Sequence, residues 1–101
     1  MLQIIGSLAS GVLLFNAIPH LVQGICGKRH MSPLAPDSSA LVNVIWGWIN
    51  LVLGALLARV SHWGNWATAD WVAFSIGGFG MSIYLAIFWS NPNARLPWHR
   101  K

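Results

Sequence analysis

Three long stretches without a charged side chain limit the folds open to this 101-residue chain. They cover residues 2–27, 39–58 and 71–89. As helices they would extend roughly 28 to 39 Å, which is enough to cross a hydrocarbon core of about 30 Å. Only 8% of the residues are charged, whereas a soluble domain carries about 25%. The sequence therefore predicts an all-α integral membrane bundle of three transmembrane helices.

Helix-stopping residues lie between and after these stretches. Pro33 and Pro36 prevent the first helix from continuing into the second, and Pro92 follows the third. Asp37 or Ser38 is the expected N-cap of the second helix. The predicted organisation is a single membrane domain, 1–101, with a first span at about 2–27, a loop at 28–38, a second span at about 39–59, a turn at 60–69, a third span at about 70–90 and a tail at 91–101.

The basic residues are concentrated on one side of the predicted spans. Five of the six Lys and Arg residues lie in the first loop or the tail, and three spans place these two segments on the same side of the membrane. Because positively charged loops stay in the cytoplasm, we expect a cytoplasmic C-terminus and an N-terminus outside. The same residues form no continuous basic face, so the net charge of +4 does not indicate a nucleic-acid partner.

Few residues of the types that support catalysis or metal binding are present. Asp37 and Asp70 are the only carboxylate side chains, and the predicted topology puts them at opposite membrane faces, too far apart for an acid–base pair. Cys26 is the only cysteine, so neither an internal disulfide nor a multi-cysteine zinc site can form. His20 is the only histidine within a span, so no two histidines are expected to meet inside the membrane. We expect no enzyme activity, no cofactor and no bound metal.

Small and amide side chains recur on one face of the second span. Asn43, Gly47, Asn50 and Gly54 follow one another at intervals of four, three and four residues, which is the spacing of one helix face. Gly78 provides a comparable small position in the third span. Small residues let helix backbones approach closely, so Gly47, Gly54 and Gly78 are predicted to form helix-packing contacts.

The same helix faces predict a polar layer inside the membrane. Depth along the spans brings together Asn16 and His20 of the first, Asn43 and Asn50 of the second, and Ser82 of the third. One interpretation is a set of interhelical hydrogen bonds. The other is a polar site for a ligand, a proton or a partner. An ionisable side chain inside a span, here His20, is costly to bury in the membrane and therefore usually has a function.

Pro19 interrupts the backbone hydrogen bonding of the first span. Its ring removes the bond to the carbonyl of Phe15, so we expect a kinked but continuous helix. A helix that ended before Asn16 would be about 21 Å long, too short to cross the membrane. A structural bend and a functional break both remain open interpretations of Pro19.

One motif extends over the end of the first span and continues into the second. The segment N-A-I-P-H-L-V-Q-G-I-C-G-K-R begins at Asn16 and is followed by S-P-L-A-P and by N-V-I-W-G-W-I-N, which begins at Asn43. This pattern, N-x-x-P-H-x-x-x-G-x-x-G-K, resembles small, uncharacterised bacterial integral membrane proteins. The resemblance covers about a third of the chain. It implies a bacterial inner-membrane location and no particular activity.

Two functions of different classes are compatible with these features. In the first, the protein is an accessory or structural subunit that packs on a larger membrane complex, and its partners are the bilayer and other membrane subunits. In the second, a self-associated protein transports or binds a small molecule at a polar site formed by His20 and the asparagines. The sequence favours the first function, because it requires no catalytic residue.

Overall fold

Three long helices make up most of the protein, and a computed structural model describes residues 1–99. The elements are α1 (Leu2–Ile25), β1 (His30–Ser32), β2 (Ala35–Ser38), α2 (Ala40–Val60), a 3-10 turn (Trp63–Asn65), α3 (Thr68–Trp89) and a second 3-10 turn (Pro97–His99). Each α-helix is long and apolar enough to cross a membrane. The predicted all-α membrane bundle is therefore confirmed. The last two basic residues, Arg100 and Lys101, lie outside the described residues.

The first helix, α1, is the central element of the bundle. It packs against both α2 and α3 along its length, whereas α2 and α3 make little contact with each other. Gly24 faces α2, where an added Cβ would lie 2.7 Å from the carbonyl oxygen of Ala40. Gly11 faces α3, where an added Cβ would overlap the carbonyl oxygen of Phe74. The two backbones are in direct contact at both positions, as small residues allow.

The glycines predicted to form helix contacts all face side chains of α1. An added Cβ would lie 2.7 Å from Leu21 at Gly47, 2.8 Å from Leu14 at Gly54 and 2.7 Å from Phe15 at Gly78. The large side chains of α1 therefore occupy space that these glycines leave empty. This complementarity holds α1 between its two neighbours.

A short antiparallel hairpin connects α1 to α2, in place of the plain loop that the sequence predicted. His30 pairs with Ser38, and Ser32 pairs with Ala35. The Oγ atoms of Ser32 and Ser38 are 2.6 Å apart, which closes the hairpin with a side-chain hydrogen bond. The strands have three and four residues, too few to show an alternating pattern. The hairpin consequently escapes prediction from hydrophobic periodicity.

The N-cap of α2 is Ser39, so the prediction of Asp37 or Ser38 is wrong by one or two positions. Ser39 Oγ accepts a hydrogen bond from the Val42 amide at 3.2 Å. Ser38 instead belongs to β2, and its hydroxyl is hydrogen-bonded within the hairpin to Ala35 and Ser32. The hairpin therefore fixes where the second span begins.

The first span is one continuous helix that passes through Pro19. The predicted helix therefore does not stop at the proline. The bend that we expect at this position stays a prediction.

Candidate functional site

His20 and Asn43 form a buried polar pair between α1 and α2. Asn43 Nδ2 faces three backbone carbonyl oxygens, those of His30 at 2.8 Å, Ser38 at 3.2 Å and Ser39 at 3.0 Å. These acceptors fix the orientation of the amide, because only the NH2 group can donate to them. Asn43 Oδ1 is then the atom that lies 2.7 Å from His20 Nδ1. His20 Nδ1 must donate this hydrogen bond, so neutral His20 has a lone pair on Nε2.

Asn16 and Asn50 form a second pair one helical turn away along α1. Asn50 Nδ2 donates to the Trp46 carbonyl at 2.9 Å, which orients its Oδ1 as the acceptor of Asn16 Nδ2 at 3.1 Å. Asn16 Oδ1 makes no hydrogen bond within residues 1–99. Each pair therefore leaves one acceptor unused on the α1 side, namely Asn16 Oδ1 and His20 Nε2.

Ser82, the fifth residue of the predicted polar layer, lies apart from these two pairs. Its hydroxyl donates to the Gly78 carbonyl of its own helix at 2.8 Å, and the residue is exposed. It borders an apolar groove between α1 and α3, next to Phe15 and Pro19. The structure thus joins Asn16 to Asn50 and His20 to Asn43, and it does not join Ser82 to either pair by a hydrogen bond.

The hairpin brings a second histidine, His30, next to His20, although His30 itself lies outside the three spans. The rings of His20 and His30 are 5.3 Å apart in an edge-on arrangement. On its other side, the His30 ring packs against the Trp89 ring, with 4.2 Å between the ring centroids. Burial lowers the pKa of His30 below its ordinary value of 6.5, and a positive charge on His20 would lower it further. The place of His30 in the site could not be predicted from the sequence, because it depends on the short hairpin.

Two buried polar atoms at this end of the bundle have no hydrogen-bond partner in the described part of the chain. They are Nε2 of His30 and Nε1 of Trp89. Buried polar atoms are usually paired, and an unpaired one costs about 1–3 kcal/mol. Such atoms are concentrated beside the two unused acceptors of α1.

A partly open cavity of about 150 Å³ lies where α1, α3, the hairpin and the tail come together. Asn16 and His20 line it from α1, and Trp89 lines it from α3. The rest of the lining is mainly apolar or aromatic and consists of Met31, Ser32, Pro33, Trp46, Met81, Tyr84, Leu85, Phe88, Leu96 and Trp98. A mostly apolar cavity with a few convergent polar groups is the usual composition of a small-molecule site.

The tail closes one side of this cavity. Trp98 Nε1 donates to the Pro33 carbonyl at 2.8 Å, which connects the residues after α3 to the hairpin. This contact could not be predicted, because Pro33 and Trp98 belong to two separate irregular segments of the sequence.

The lining residues do not resemble a metal centre. Within residues 1–99, no three His, Cys, Asp or Glu side chains lie close enough together to hold a metal ion. The arrangement is instead suited to hydrogen bonding and ring packing with an organic molecule. No protein-family model, curated protein sequence or solved structure matches this chain.

Proposed function

We propose that this protein binds a small molecule within the membrane, in the cavity bordered by Asn16 and His20. The observation that carries the proposal is the position of this cavity beside unused polar atoms. Ligand sites are typically concave and mostly apolar, with a few placed polar groups. A partly open cavity of about 150 Å³ that two free acceptors line is a feature that binding would explain.

The hydrogen-bond arrangement supports binding over a purely structural polar layer. Asn43 and Asn50 use their amide groups on partners within the chain. Asn16 and His20 use only part of their capacity, and both line the cavity. If the polar layer served only to join helices, nothing would explain why the α1 side chains keep unused acceptors while the α2 side chains do not.

We propose binding and not catalysis as the activity of a single chain. Asp37 lies in the hairpin and Asp70 at the start of α3, at opposite ends of the bundle. General acid–base chemistry needs two such groups within reach of one substrate. Three helices also leave no room for an aqueous pore, so transport of the bound molecule would require several copies of the chain.

We propose a bacterial inner-membrane location with the hairpin end in the cytoplasm and the N-terminus outside. Lys28, Arg29 and Arg95 support this orientation, since all three lie at the hairpin end. Cys26 offers a direct test, because it is the only cysteine and is exposed at that end. A membrane-impermeant maleimide should label it in inverted vesicles and not in intact cells. The matched variant Cys26→Ala/Asn65→Cys should give the opposite result, and labelling of wild type in intact cells contradicts the orientation.

Binding can be tested with two small ring probes, 4-butylphenol and 4-butylanisole, and protein reconstituted in nanodiscs. At least one probe should show saturable binding, at one site per chain, above its partition into protein-free nanodiscs. Met81→Trp should abolish that site, because Met81 lines the cavity. Ile87→Trp is the matched control on the exposed side of α3. Absence of saturable binding of both probes, or equal binding by both variants, contradicts the proposal.

A second candidate function, an accessory subunit on a larger membrane complex, is favoured by Trp48. This residue lies well inside α2 and is 54% exposed, and its indole N–H makes no hydrogen bond in the described part of the chain. Tryptophan prefers the membrane interface, where its N–H can be satisfied. Its apolar neighbours Ile45 and Val52 form a groove with it that a partner helix would cover.

The mass of the solubilised particle tests this second function. A subunit should co-purify with a larger partner at fixed stoichiometry, and Trp48→Leu should weaken that association. Trp63→Leu, at an exposed position in the turn between α2 and α3, should leave the association unchanged. A uniform homo-oligomer contradicts the subunit function.

A further inference from the structure

We infer that the cavity takes a neutral, membrane-soluble aromatic ring with a hydroxyl group, of the phenol or hydroquinone type. The inference rests on the proposed function, since it requires that the cavity binds a small molecule. It follows from the kind of hydrogen-bonding atoms that the cavity presents, from its lining and from the charge around it.

The unused groups of α1 require a ligand that donates hydrogen bonds. His20 is 6% exposed and lines the cavity, and its Nδ1 is bound to Asn43, so Nε2 is the ring nitrogen left to accept. Asn16 Oδ1 is also an acceptor, because the amide nitrogen already donates to Asn50. Two acceptors on one wall select a ligand with O–H or N–H groups over one that has only carbonyl or ether oxygens.

A hydroxyl group meets this requirement without carrying a charge. Trp89 lines the same cavity, although its Nε1 atom is itself buried. A phenolic hydroxyl can donate to His20 or Asn16 and is neutral at pH 7, whereas an aliphatic amine is protonated at that pH.

The size and lining of the cavity favour an aromatic ring. A partly open cavity of about 150 Å³ accommodates a single benzene-sized ring. Trp46, Tyr84 and Phe88 are among the aromatic residues of its wall. Aromatic groups pack favourably on such surfaces in offset or edge-on arrangements.

The charge around the cavity favours a neutral ligand over an organic cation. Aromatic walls also attract cations, usually through the faces of tryptophan and tyrosine. No carboxylate is among the described lining residues, however, and Lys28, Arg29 and Arg95 lie at the same end of the bundle. Asp37, the acidic residue at that end, is exposed, and its Oδ2 lies 3.8 Å from Nη1 of Arg29. A cation in the cavity would therefore face repulsion without a compensating charge.

The experiment compares 4-butylphenol with 4-butylanisole, which differ by one methyl group on the oxygen. Dissociation constants are measured for protein in nanodiscs and corrected for partition into protein-free nanodiscs. The phenol should bind on the order of 5- to 10-fold tighter to the wild type, as expected for loss of one donated hydrogen bond. Equal affinity of the two probes overturns the inference but leaves the proposed function standing. Failure of both probes to bind overturns both.

Two substitutions separate the role of the acceptor from the stability of the fold. Asn16→Leu and Asn50→Leu each remove the same interhelical hydrogen bond, but only Asn16 lines the cavity. The preference for phenol over anisole should fall several-fold in Asn16→Leu and persist in Asn50→Leu. His20→Phe, which keeps a ring at the same position, should also lose the preference. An unchanged ratio in both Asn16→Leu and His20→Phe contradicts the inference.

A cationic probe tests the competing ligand class. Phenyltrimethylammonium has a ring and a positive charge but no hydroxyl group. It should bind at least several-fold more weakly than 4-butylphenol. Tighter binding of the cation overturns the inference of a neutral ligand.

Discussion

The two ends of the helical bundle differ in how completely they use their polar atoms. At the turn between α2 and α3, Trp66 Nε1 donates to the Ser61 carbonyl at 3.0 Å. The buried Asp70 carboxylate accepts the Ala67 amide at 2.9 Å and so caps α3. At the hairpin end, by contrast, buried atoms of His30 and Trp89 have no partner in the described part of the chain.

This difference indicates that the two ends of the bundle have different roles. The turn end satisfies its buried groups locally, between residues close in sequence, which stabilises the connection between two spans. The hairpin end combines groups from α1, α2, α3, the hairpin and the tail, and it leaves a cavity among them. Functional sites are where incomplete satisfaction of polar groups is expected in a folded protein.

Asn43→Leu should be the most destabilising single change. Asn43 bonds three backbone carbonyls and His20, so its loss leaves several buried polar groups unpaired and releases the hairpin. We expect a loss of about 3 kcal/mol in the free energy of unfolding. This loss in the free energy of unfolding is measured by unfolding the protein in mixed micelles. Asn65→Leu, at an exposed position in the turn, is the control, and equal effects of the two changes would refute the account of the hairpin end.

Gly77→Ala should weaken the packing of α3 on α1. An added Cβ at Gly77 would overlap the Leu8 carbonyl, whereas an added Cβ at Gly80 meets nothing within 4 Å. We expect Gly77→Ala to cost about 1–3 kcal/mol, because the backbones must separate. Gly80→Ala should be neutral or slightly stabilising, since alanine favours helix formation. The same unfolding assay distinguishes them, and similar costs would show that the backbone contact does not hold the bundle together.

Matched Trp→Phe substitutions compare a paired indole with an unpaired one. Trp66→Phe removes a hydrogen bond and leaves the Ser61 carbonyl without its donor. Trp89→Phe removes a buried N–H that has no partner. We expect Trp66→Phe to be more destabilising by about 1 kcal/mol, because only Trp66 loses a bond. Equal free energies of unfolding for the two variants would remove the distinction between the two ends.

Acid should destabilise the protein through His30. Its pKa is lowered in the folded state, mainly by burial and then by His20, so the unfolded chain binds a proton more readily. Stability should therefore be constant well above pH 6.5 and fall as the pH drops below that value. His30→Phe should reduce the slope of stability against pH. The assay is unfolding at pH values from 5 to 8, and a rise in stability towards acid would contradict the sign.

The three helices could be predicted from the length of the uncharged stretches, and the residues of the two polar pairs could be assigned to one layer from helix periodicity and depth. The spacing of Asn43 and Asn50 put them on one face of α2, and each is bonded to a polar residue of α1. These are the features that repeat every three or four residues and that depth along a span can align.

The rest of the site depends on contacts that have no periodic signature. The hairpin is too short to be recognised, so the approach of His30 to His20 was not predicted. The cavity requires Trp98 of the tail to reach Pro33, across a long separation in sequence. Ser82 has the right depth, but its orientation on α3 leaves its hydroxyl bonded to its own helix.

A ring probe should bind at the hairpin end of the bundle, and the three methionine methyl groups report on this binding directly. Met31 and Met81 line the cavity, whereas Met1 is 88% exposed at the other end of α1. Methyl NMR of the protein in nanodiscs, titrated with 4-butylphenol, should show saturable shifts for Met31 and Met81 and none for Met1. Equal shifts for all three methyl groups, or no saturable shift at Met31 and Met81, would contradict the account.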